Sequence, residues 1–399
     1  MIKMNKLIYL DNAATTKTAQ EAVDAMLPYF TEYYGNASSI YSLGAESKKA
    51  MTEAREEIAG SIGASAQEIY FTAGGSESDN WALVAAAEAY ESKGKHIITS
   101  KIEHHAILHT CEYLEKRGFE ITYLNVDRDG LIDLEELKAA IRPDTILISV
   151  MFANNEIGTV QPIAELAAIA HAHGAWFHTD AVQAVGHIPV DVKALGVDML
   201  SLSGHKFHGP KGTGVLYARQ GIPLTNIIEG GAQERGKRAG TENVPGIMGL
   251  AAALKEACDH IDENAAKDSA LRDQLIAGLS QIPHSALNGD PVHRLPGNVN
   301  FCFEGIEGES LLLLLDQAGI CASSGSACTS GSLDPSHVLL AIGRPHEVAH
   351  GSLRLSLCEW NTQEDVDHIL KEVPRIVAYL RSISPVWKDL ASGKKQFML

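Results

Sequence analysis

Between residues 20 and 215, short apolar runs alternate with stretches of helical pattern. The apolar runs are "EIYFT", "HIITS", "FEITYLNV", "TILISVMF", "AWFHTD", "DMLSLS" and "GVLYA", and the stretches between them include "SESDNWALVAAAEAYES" and "IAELAAIAHAHG". Such alternation is typical of consecutive βα units. The pattern predicts an α/β fold with a mostly parallel central sheet flanked by helices.

The remainder of the chain predicts a second, smaller unit. A glycine-rich stretch at 230–246 is followed by a helical pattern at 247–279 that is rich in Ala, Leu, Asp and Glu. After it, the strand patterns "GNVNFCF" and "SLRLSL" alternate with helical ones such as "TQEDVDHILKEVPRIVAYL". We expect these segments to form a smaller α/β domain.

Composition limits the partners of the chain. Its 399 residues carry a formal net charge of −17, which argues against general nucleic-acid binding. No apolar segment approaches the roughly 20 residues that a membrane helix needs, and the apolar stretch near the start is too short for a signal sequence. We therefore expect a cytoplasmic protein without a membrane partner.

Six cysteines without CxxC spacing indicate neither a zinc knuckle nor a disulfide framework.

In an open α/β sheet, ligands bind beyond the carboxyl ends of the strands, so residues that directly follow the apolar runs are the first candidates for chemistry. In "YFTAGGSESDN", Gly74, Gly75 and Ser76 join a strand to a helix, where backbone N–H groups and the helix dipole can hold a phosphate. The same residues also fit a plain turn with Ser76 as the helix N-cap. The motif alone leaves both interpretations open.

Two more strand ends carry a carboxylate and an amine. Asp180 ends the run "AWFHTD", where it could cap the next helix or pair with a buried cation. Lys206 follows "DMLSLS" in a loop closed by glycines and Pro210, an unusual place for a solvated charge. Pyridoxal phosphate requires a lysine that forms a Schiff base, an anion site and a carboxylate that keeps its ring nitrogen protonated. Lys206, Asp180 and the turn at 75–76 supply all three.

Histidines near these positions have competing interpretations. His205 and His208 of "HKFH" could ligate a metal, but no third ligand is clustered with them in the sequence and their loop has no carboxylate, so we predict no metal. His104 in "KIEHHAILHT" could lie against a planar ring and transfer protons near neutral pH, or could be an ordinary hydrogen-bonded loop residue.

The stretch "ASSGSACTSGSLD" at 322–334 places Cys328 among small polar residues. Its glycines and serines bury little apolar area that could offset the entropy of ordering, so we expect a flexible loop with an accessible thiol. A buried, inert thiol suits Cys302 in "NVNFCF" or Cys258 in a helical pattern better.

Together these motifs resemble those of the fold-type-I pyridoxal-phosphate enzymes and, more narrowly, of the cysteine desulfurases of the NifS and IscS kind. The resemblance covers essentially the whole chain, and the segments that carry it are "YLDNAATT", "TAGGSESDN", "EHHAIL", "ANNEIGTVQPI", "HTDAVQAVG", "SGHKFHGPKG", "GGAQERGKRAGTEN", "SSGSACTSG" and "SLRLSL". The chain departs from the family pattern at Ala37 and Tyr41, where proline and histidine are usual, at Ala232 within a glycine run, and at Cys358, where glycine is usual.

The resemblance implies a role for each candidate residue around the cofactor. Lys206 would hold pyridoxal phosphate covalently, Asp180 would pair with its pyridine nitrogen, Gln183 would bond its ring hydroxyl, and His104 would stack on the ring and act in catalysis. The phosphate would be held by Gly75, Ser76, Ser203 and His205, with Thr241 reaching in from the partner subunit of a homodimer.

The implied reaction converts L-cysteine to L-alanine. Lys206 would remove the Cα proton, and Cys328 would take the sulfur as a persulfide and pass it to an acceptor protein, such as an iron–sulfur scaffold. Arg354 and Asn155, which is also a cofactor contact, would grip the substrate carboxylate, and Asn12 would be a further substrate contact.

The same resemblance places a large cofactor-binding domain at 14–260 and a small domain at 1–13 and 261–399, which carries the loop of Cys328. Three alternatives remain. A selenocysteine lyase uses the same fold and cofactor, and an aminotransferase shares the cofactor but has no use for Cys328. A silent scaffold or sulfur-relay protein would keep the fold without needing the complete set of candidate residues.

Overall fold

The computed structural model describes residues 7–324 and 335–399, so Cys328 and most of its predicted loop lie outside the described residues. The strands of the described part are β1 (Ile8–Tyr9), β2 (Ile69–Thr72), β3 (His96–Ser100), β4 (Glu120–Leu124), β5 (Thr145–Ser149), β6 (Trp176–Asp180), β7 (Met199–Ser203), β8 (Gly214–Ala218), β9 (Ser285–Leu287), β10 (Asn298–Phe303), β11 (Ile320–Cys321) and β12 (Ser352–Ser356).

Helices connect most of these strands within the described residues. They are α1 (Gln20–Met26), α2 (Pro28–Thr31), α3 (Ser42–Ser61), α4 (Gly75–Tyr90), α5 (His105–Glu115), α6 (Leu134–Ala140), α7 (Ile163–Ala172), α8 (Val192–Leu195), α9 (Gln233–Gly236), α10 (Val244–Asp259), α11 (Ile261–Leu279), α12 (Gly308–Gln317), α13 (His337–Ala341), α14 (His346–Ala349), α15 (Gln363–Ile383) and α16 (Pro385–Ala391).

The central sheet has the strand order β2-β8-β7-β6-β5-β3-β4. Strands β3 to β7 pair in parallel, whereas β8 is antiparallel to both β7 and β2. Alternate residues of β7 enter different cores, Leu200 and Leu202 on one face and Met199 on the other. Helices therefore cover both faces, with small residues of α4 such as Ala82 and Ala86 buried in the second core. The predicted α/β fold with a mostly parallel sheet is confirmed.

A third core, separate from the two on the faces of the central sheet, surrounds the sheet β12-β10-β9. Leu10, Phe301, Leu355 and Val373 are buried members of it. Helices α11 and α12 contact this sheet, and α15 packs on both helices. The start of the chain joins this core because β1 pairs in parallel with β11. The domain boundaries proposed from the sequence stay a prediction.

Cysteine placement within the described residues follows two expectations from the sequence. Cys302 is buried in β10, and Cys258 is partly buried on α10.

Among the described helices, none is both long enough and apolar enough to cross a bilayer.

Candidate active site

Lys206 lies in a short turn of helix, Gly204–Lys206, directly after β7. Its Nζ donates hydrogen bonds to the carbonyl oxygens of Ala13 (2.5 Å) and Ala14 (2.9 Å). Gln183 Nε2 donates to the same Ala13 oxygen at 2.9 Å. The segment that follows β1 therefore crosses the carboxyl end of the sheet and brings two predicted cofactor contacts, Lys206 and Gln183, onto one carbonyl group.

Asp180 is the last residue of β6 and is buried. Its Oδ1 accepts a hydrogen bond of 2.9 Å from the backbone N–H of Val182. The carboxyl group thereby caps the turn that follows β6. Burial raises the pKa of Asp180 to about 6, although the Val182 N–H and the Lys206 ammonium act in the opposite direction. The carboxyl group lies in an environment that favours a cationic partner.

A buried polar layer lies beside Asp180 and was not predicted from the sequence. His178, two residues earlier on β6 and so on the same face, is 2.9 Å from Ser149 Oγ and 3.0 Å from Ser201 Oγ. Asp79 Oδ1 lies 3.8 Å from His178 Nε2. Burial and the charge of Asp180 raise the pKa of Asp79 well above its ordinary value, against a hydrogen bond with Ser201. These groups form a fully buried support for the Asp180 carboxyl.

One signal could have found Asp79. It lies four residues after Gly75, about one helical turn along α4, so both residues occupy the face that packs on the sheet. A carboxylate on that face, among the alanines of the helix, must be buried.

His104 is the N-cap of α5, and its Nδ1 accepts a hydrogen bond of 3.1 Å from the Ala106 N–H. An accepting Nδ1 places the ring proton on Nε2. Burial, followed by the charge of Lys206, lowers the pKa of His104 to about 4. The ring is therefore neutral near pH 7 and can offer an uncharged face to a planar ligand.

The predicted phosphate turn begins the 16-residue helix α4 at Gly75. A Cβ atom at Gly75 would lie 2.6 Å from Val182 Cγ2 and 3.6 Å from Ser203 Cβ, so only glycine fits without a shift. His205 Nδ1 is 3.1 Å from Thr15 Oγ1, and burial lowers the pKa of His205 to about 4. The first turn of an α-helix leaves backbone N–H groups without intrahelical acceptors, so the start of α4 offers donors that suit an anion.

Arg354 on β12 is buried and contacts two of the predicted substrate segments. Its guanidinium donates to Asp11 Oδ1 (2.8 Å) and to the backbone oxygen of Asn155 (3.0 Å). Arg354 Nε is buried and has no hydrogen-bond partner among the described residues. Asn12 Nδ2 donates to the backbone oxygen of Ser356 at 2.9 Å. Asp11 was not identified as a site residue from the sequence, and its contact with Arg354 spans most of the chain.

Both ends of the segment that contains Cys328 are anchored beside this site. Arg354 N–H donates to the Ser323 oxygen at 2.6 Å, and Ser352 Oγ donates to the Ser324 oxygen at 2.9 Å. At the other end, Ser336 Oγ donates to the carboxylate of the buried Glu156.

Among the described candidates, Thr241 has no hydrogen-bond contact with the residues around Lys206. It is exposed in the connection between α9 and α10, and no hydrogen bond joins it to the other candidates within the described part of the chain. Its predicted role requires a second subunit.

The model of the family described as aminotransferase class-V matches residues 8–369. The chain belongs to the class-V aminotransferase family. A "Cysteine desulfurase IscS" from Methanosarcina thermophila is 60% identical over 382 residues, which are 96% of this chain and 95% of that protein. Among solved structures, a "NIFS-LIKE PROTEIN" is similar with a TM-score of 0.89 and 40% identity, covering 94% of this chain and 100% of that one.

A second solved structure, described as "SspA in complex with cysteine", is similar with a TM-score of 0.78 and 37% identity, covering 89% of this chain and 100% of that one. In this member of the class-V family, an amine, a buried carboxyl group and the glycine start of α4 lie at the carboxyl ends of β7, β6 and β2, with a buried guanidinium contributed by β12. Such an arrangement can bind a doubly anionic cofactor and an amino-acid carboxylate side by side.

Proposed function

We propose that this protein is a pyridoxal-phosphate-dependent cysteine desulfurase. It converts L-cysteine to L-alanine and transfers the sulfur to Cys328, which passes it to acceptor proteins, among them those that assemble iron–sulfur clusters. The observation that carries the proposal is the position of the Lys206 amine at the carboxyl end of β7, next to the strand that ends in Asp180. The likeness to proteins named cysteine desulfurase extends over almost the full chain and supports the choice of reaction.

The described residues fit pyridoxal phosphate. Gly75 leaves a cradle that a Cβ would fill, and Asp180 is a buried carboxyl group without a salt-bridge partner at hydrogen-bond distance in the described part of the chain. Lys206 would hold the cofactor through its amine, and Asp180, Gln183 and His104 would bind its ring nitrogen, ring hydroxyl and ring face. Bound pyridoxal phosphate supplies an electron sink for the carbanion that forms at the substrate Cα.

The phosphate in this complex lies at the start of α4. Gly75 and Ser76 offer backbone N–H groups, and Ser203 and His205 offer side chains from the end of β7 and the turn after it. Thr241 completes the cradle of the other subunit in a homodimer.

Lys206 serves as the proton carrier at the substrate Cα. Its two carbonyl contacts, Ala13 and Ala14, belong to the backbone and do not titrate, so they orient the amine without competing for its proton. The Asp180 carboxylate would favour a protonated ring nitrogen in the bound cofactor, because a buried carboxylate is stabilised by a cationic neighbour.

The substrate carboxylate binds at Arg354. One edge of the guanidinium is held by Asp11 and by the Asn155 carbonyl, and the buried Nε has no partner among the described residues. A substrate carboxylate satisfies such a donor and adds a charge-assisted bond. Asp11 thus acts as a positioning residue for Arg354.

Cys328 is within reach of this site. Only three residues lie between it and Ser324, and a stretch of chain of this length spans at most about 14 Å. Ser324 is bonded to Ser352, two residues from Arg354 on β12. In the transfer step the Cys328 thiolate bonds to the substrate sulfur, the bond between that sulfur and Cβ breaks with its electron pair going to Cβ, and protonation of Cβ yields alanine. The thiolate form is required because it is the nucleophile.

The decisive experiment is incubation of the purified, cofactor-loaded protein with L-cysteine and a reductant. We expect sulfide and alanine in equal amounts. Amine transfer that depends on a keto acid would identify an aminotransferase instead, and a strong preference for L-selenocysteine would identify a selenocysteine lyase. A protein that binds the cofactor and releases neither product would be a silent scaffold or relay.

Replacing Gly75 with alanine tests the anion cradle. The new Cβ would meet Val182 Cγ2 at 2.6 Å, and overpacking of this kind costs about 1–3 kcal/mol. We expect the affinity for pyridoxal phosphate to fall by about tenfold or more. Gly60→Ala is the matched control, since a Cβ there meets nothing within 4 Å, and equal cofactor affinity in the two variants would contradict the assignment.

Replacing Asp180 with asparagine separates stability from function. The pKa of Asp180 is raised to about 6, so the stability it contributes is present below its unfolded pKa and is lost as the pH rises through about 6. Asparagine carries no charge. In the cofactor-free variant the free energy of unfolding should therefore be about 1–3 kcal/mol higher than in the native protein at pH 8, and this difference should disappear at pH 4. Denaturant unfolding across this range measures the difference.

The exposed Asp262 provides the control, as Asp262→Asn should change stability by less than about 0.5 kcal/mol at either pH. Desulfuration by Asp180→Asn should fall sharply, because an amide does not hold the ring nitrogen protonated. A variant less stable than the native protein at pH 8 would show that the buried carboxylate is already compensated without the cofactor.

A further inference from the structure

Three potential metal ligands that the proposed cofactor site does not use lie close together. His208 comes from the loop after Lys206, and Cys358 and Glu359 follow β12. The ligand atoms of these three side chains all lie within 4.8 Å of one another. His208 is 6% exposed and Cys358 is 5% exposed, so both donors are more than nine-tenths buried.

The imidazole of His208 is oriented as a ligand. Its Nδ1 is 2.9 Å from the carbonyl oxygen of Lys17, so in the neutral ring Nδ1 carries the proton and Nε2 carries the lone pair. Histidines that bind metals commonly donate their second N–H to a backbone carbonyl in this way. The ring is also held by Trp360, with centroids 4.1 Å apart.

The lone-pair nitrogen has no hydrogen bond to any described residue. His208 Nε2 is buried and lies 3.3 Å from Glu359 Oε2 without hydrogen-bond geometry, and two lone-pair atoms this close need a proton or a cation between them. The edge of a tetrahedron with metal–ligand bonds of 2.0–2.1 Å is about 3.3 Å long. One ion can therefore contact both atoms without a change in their separation.

A small cavity next to these donors has space for an ion or one water. It has a volume of about 20 Å³ and is lined by His208, Glu359 and Asp268, among others. A space of this size holds a single water. Asp268 Oδ1 is buried and has no hydrogen-bond partner among the described residues, so it is available as a fourth donor, directly or through water.

We propose that His208, Cys358 and Glu359 bind one divalent transition-metal ion, zinc by ligand preference, between the loop that carries Lys206 and the segment after β12. Imidazole, thiolate and carboxylate are the three protein ligand types that zinc accepts. A 2+ ion also neutralises the buried thiolate and the partly buried carboxylate. The loop of His208 has no third ligand of its own, and the other two donors lie about 150 residues further along the chain, so the sequence alone predicts no metal here.

The alternative is an ion pair without metal. Burial lowers the pKa of His208, but Cys358 and Glu359 outweigh it and raise that pKa to about 10 in the metal-free protein. An imidazolium paired with Glu359 accounts for two of the groups but gives no role to Asp268. The two interpretations differ in whether the thiol of Cys358 contacts a metal.

The test uses the cofactor-loaded protein with the substitution Cys328→Ser, which removes the other candidate thiol. Dialysis against zinc should leave one ion per chain, and replacement by cobalt should add a thiolate-to-metal charge-transfer band to the spectrum of the metal-free protein. Cys358→Ser should abolish the band, and His208→Gln should weaken zinc binding at least tenfold. Cys321→Ser removes a partly buried thiol elsewhere and should leave the band unchanged.

X-ray absorption at the cobalt edge of the unsubstituted protein keeps the proposal testable if a variant does not fold. One sulfur at about 2.3 Å with nitrogen and oxygen ligands is the expected shell. Zinc should also raise the melting temperature of the native protein but not that of Cys358→Ser. Sub-stoichiometric zinc, or a band that survives in Cys358→Ser, would show that the cluster is an ion pair only.

Discussion

Lys206→Ala is expected to abolish sulfide release from L-cysteine and to leave pyridoxal phosphate without a covalent link. The side chain lies at the carboxyl end of β7, where backbone oxygens of Ala13 and Ala14 orient its amine. Loss of a positioned proton carrier alone costs about 10²–10⁴ in rate, and loss of the covalent link adds to it. The measurement pairs a sulfide assay with borohydride reduction and mass analysis of the labelled peptide.

Lys211→Ala is the control. Lys211 Nζ lies 3.4 Å from the carbonyl oxygen of Thr16, so it contacts the same crossing segment five residues further along the chain. This variant should keep the covalent link and most of the activity. A reducible link at Lys211, or one that persists in Lys206→Ala, would contradict the assignment of the amine.

The candidate residues that could be predicted from the sequence share one property. Asp180 ends an apolar run, and Gly75, His104 and Lys206 each lie three or four residues after the end of one. Parallel strands bring their carboxyl ends to one edge of a sheet, so a one-dimensional pattern is enough to predict that such residues gather there. The antiparallel direction of β8 does not affect this argument, because its neighbours β7 and β2 keep the same orientation of their carboxyl ends.

The rest of the site depends on contacts that no local pattern encodes. The Lys206 amine bonds to Ala13, which lies 193 residues away, and Arg354 bonds to Asp11 across 343 residues. These pairs form because β1 joins the core around the sheet β12-β10-β9 and the segment after it returns over the central sheet. A periodicity of 2.0 or 3.6 residues reports which face a side chain occupies, not which distant segment covers that face.

His208 and Cys358 illustrate the same limit. Each has one potential co-ligand nearby in the sequence, His205 for His208 and Glu359 for Cys358, but neither pair alone supplies the three ligands of a metal site. Their proximity arises because β12 pairs with β10 and ends beside the loop that follows β7. The sequence shows only that cysteine replaces the usual glycine at 358. The fold shows that this cysteine lies beside His208 and Glu359, which suggests a role for it.

Cys328→Ser is expected to stop sulfide release while leaving cofactor binding intact. The proposed transfer requires a thiolate that bonds to the substrate sulfur, and a serine hydroxyl remains protonated near pH 7 and forms no persulfide. Because the anchors of its segment, Ser324 and Ser336, bond to Ser352 and Glu156, the substitution should not disturb the strands that hold the cofactor. The visible absorption of the loaded protein and the sulfide assay report the two properties separately.

Exchange of the substrate Cα proton distinguishes this variant from Lys206→Ala. Removal of that proton by Lys206 precedes transfer of the sulfur, so Cys328→Ser incubated with L-cysteine in deuterated water should still incorporate deuterium at Cα, whereas Lys206→Ala should not. Cys321→Ser, at a partly buried strand position, should retain both exchange and sulfide release. If Cys328→Ser lost exchange as well, the thiol would be needed before sulfur transfer, and its proposed role as the sulfur acceptor would have to be replaced by one in substrate binding or proton removal.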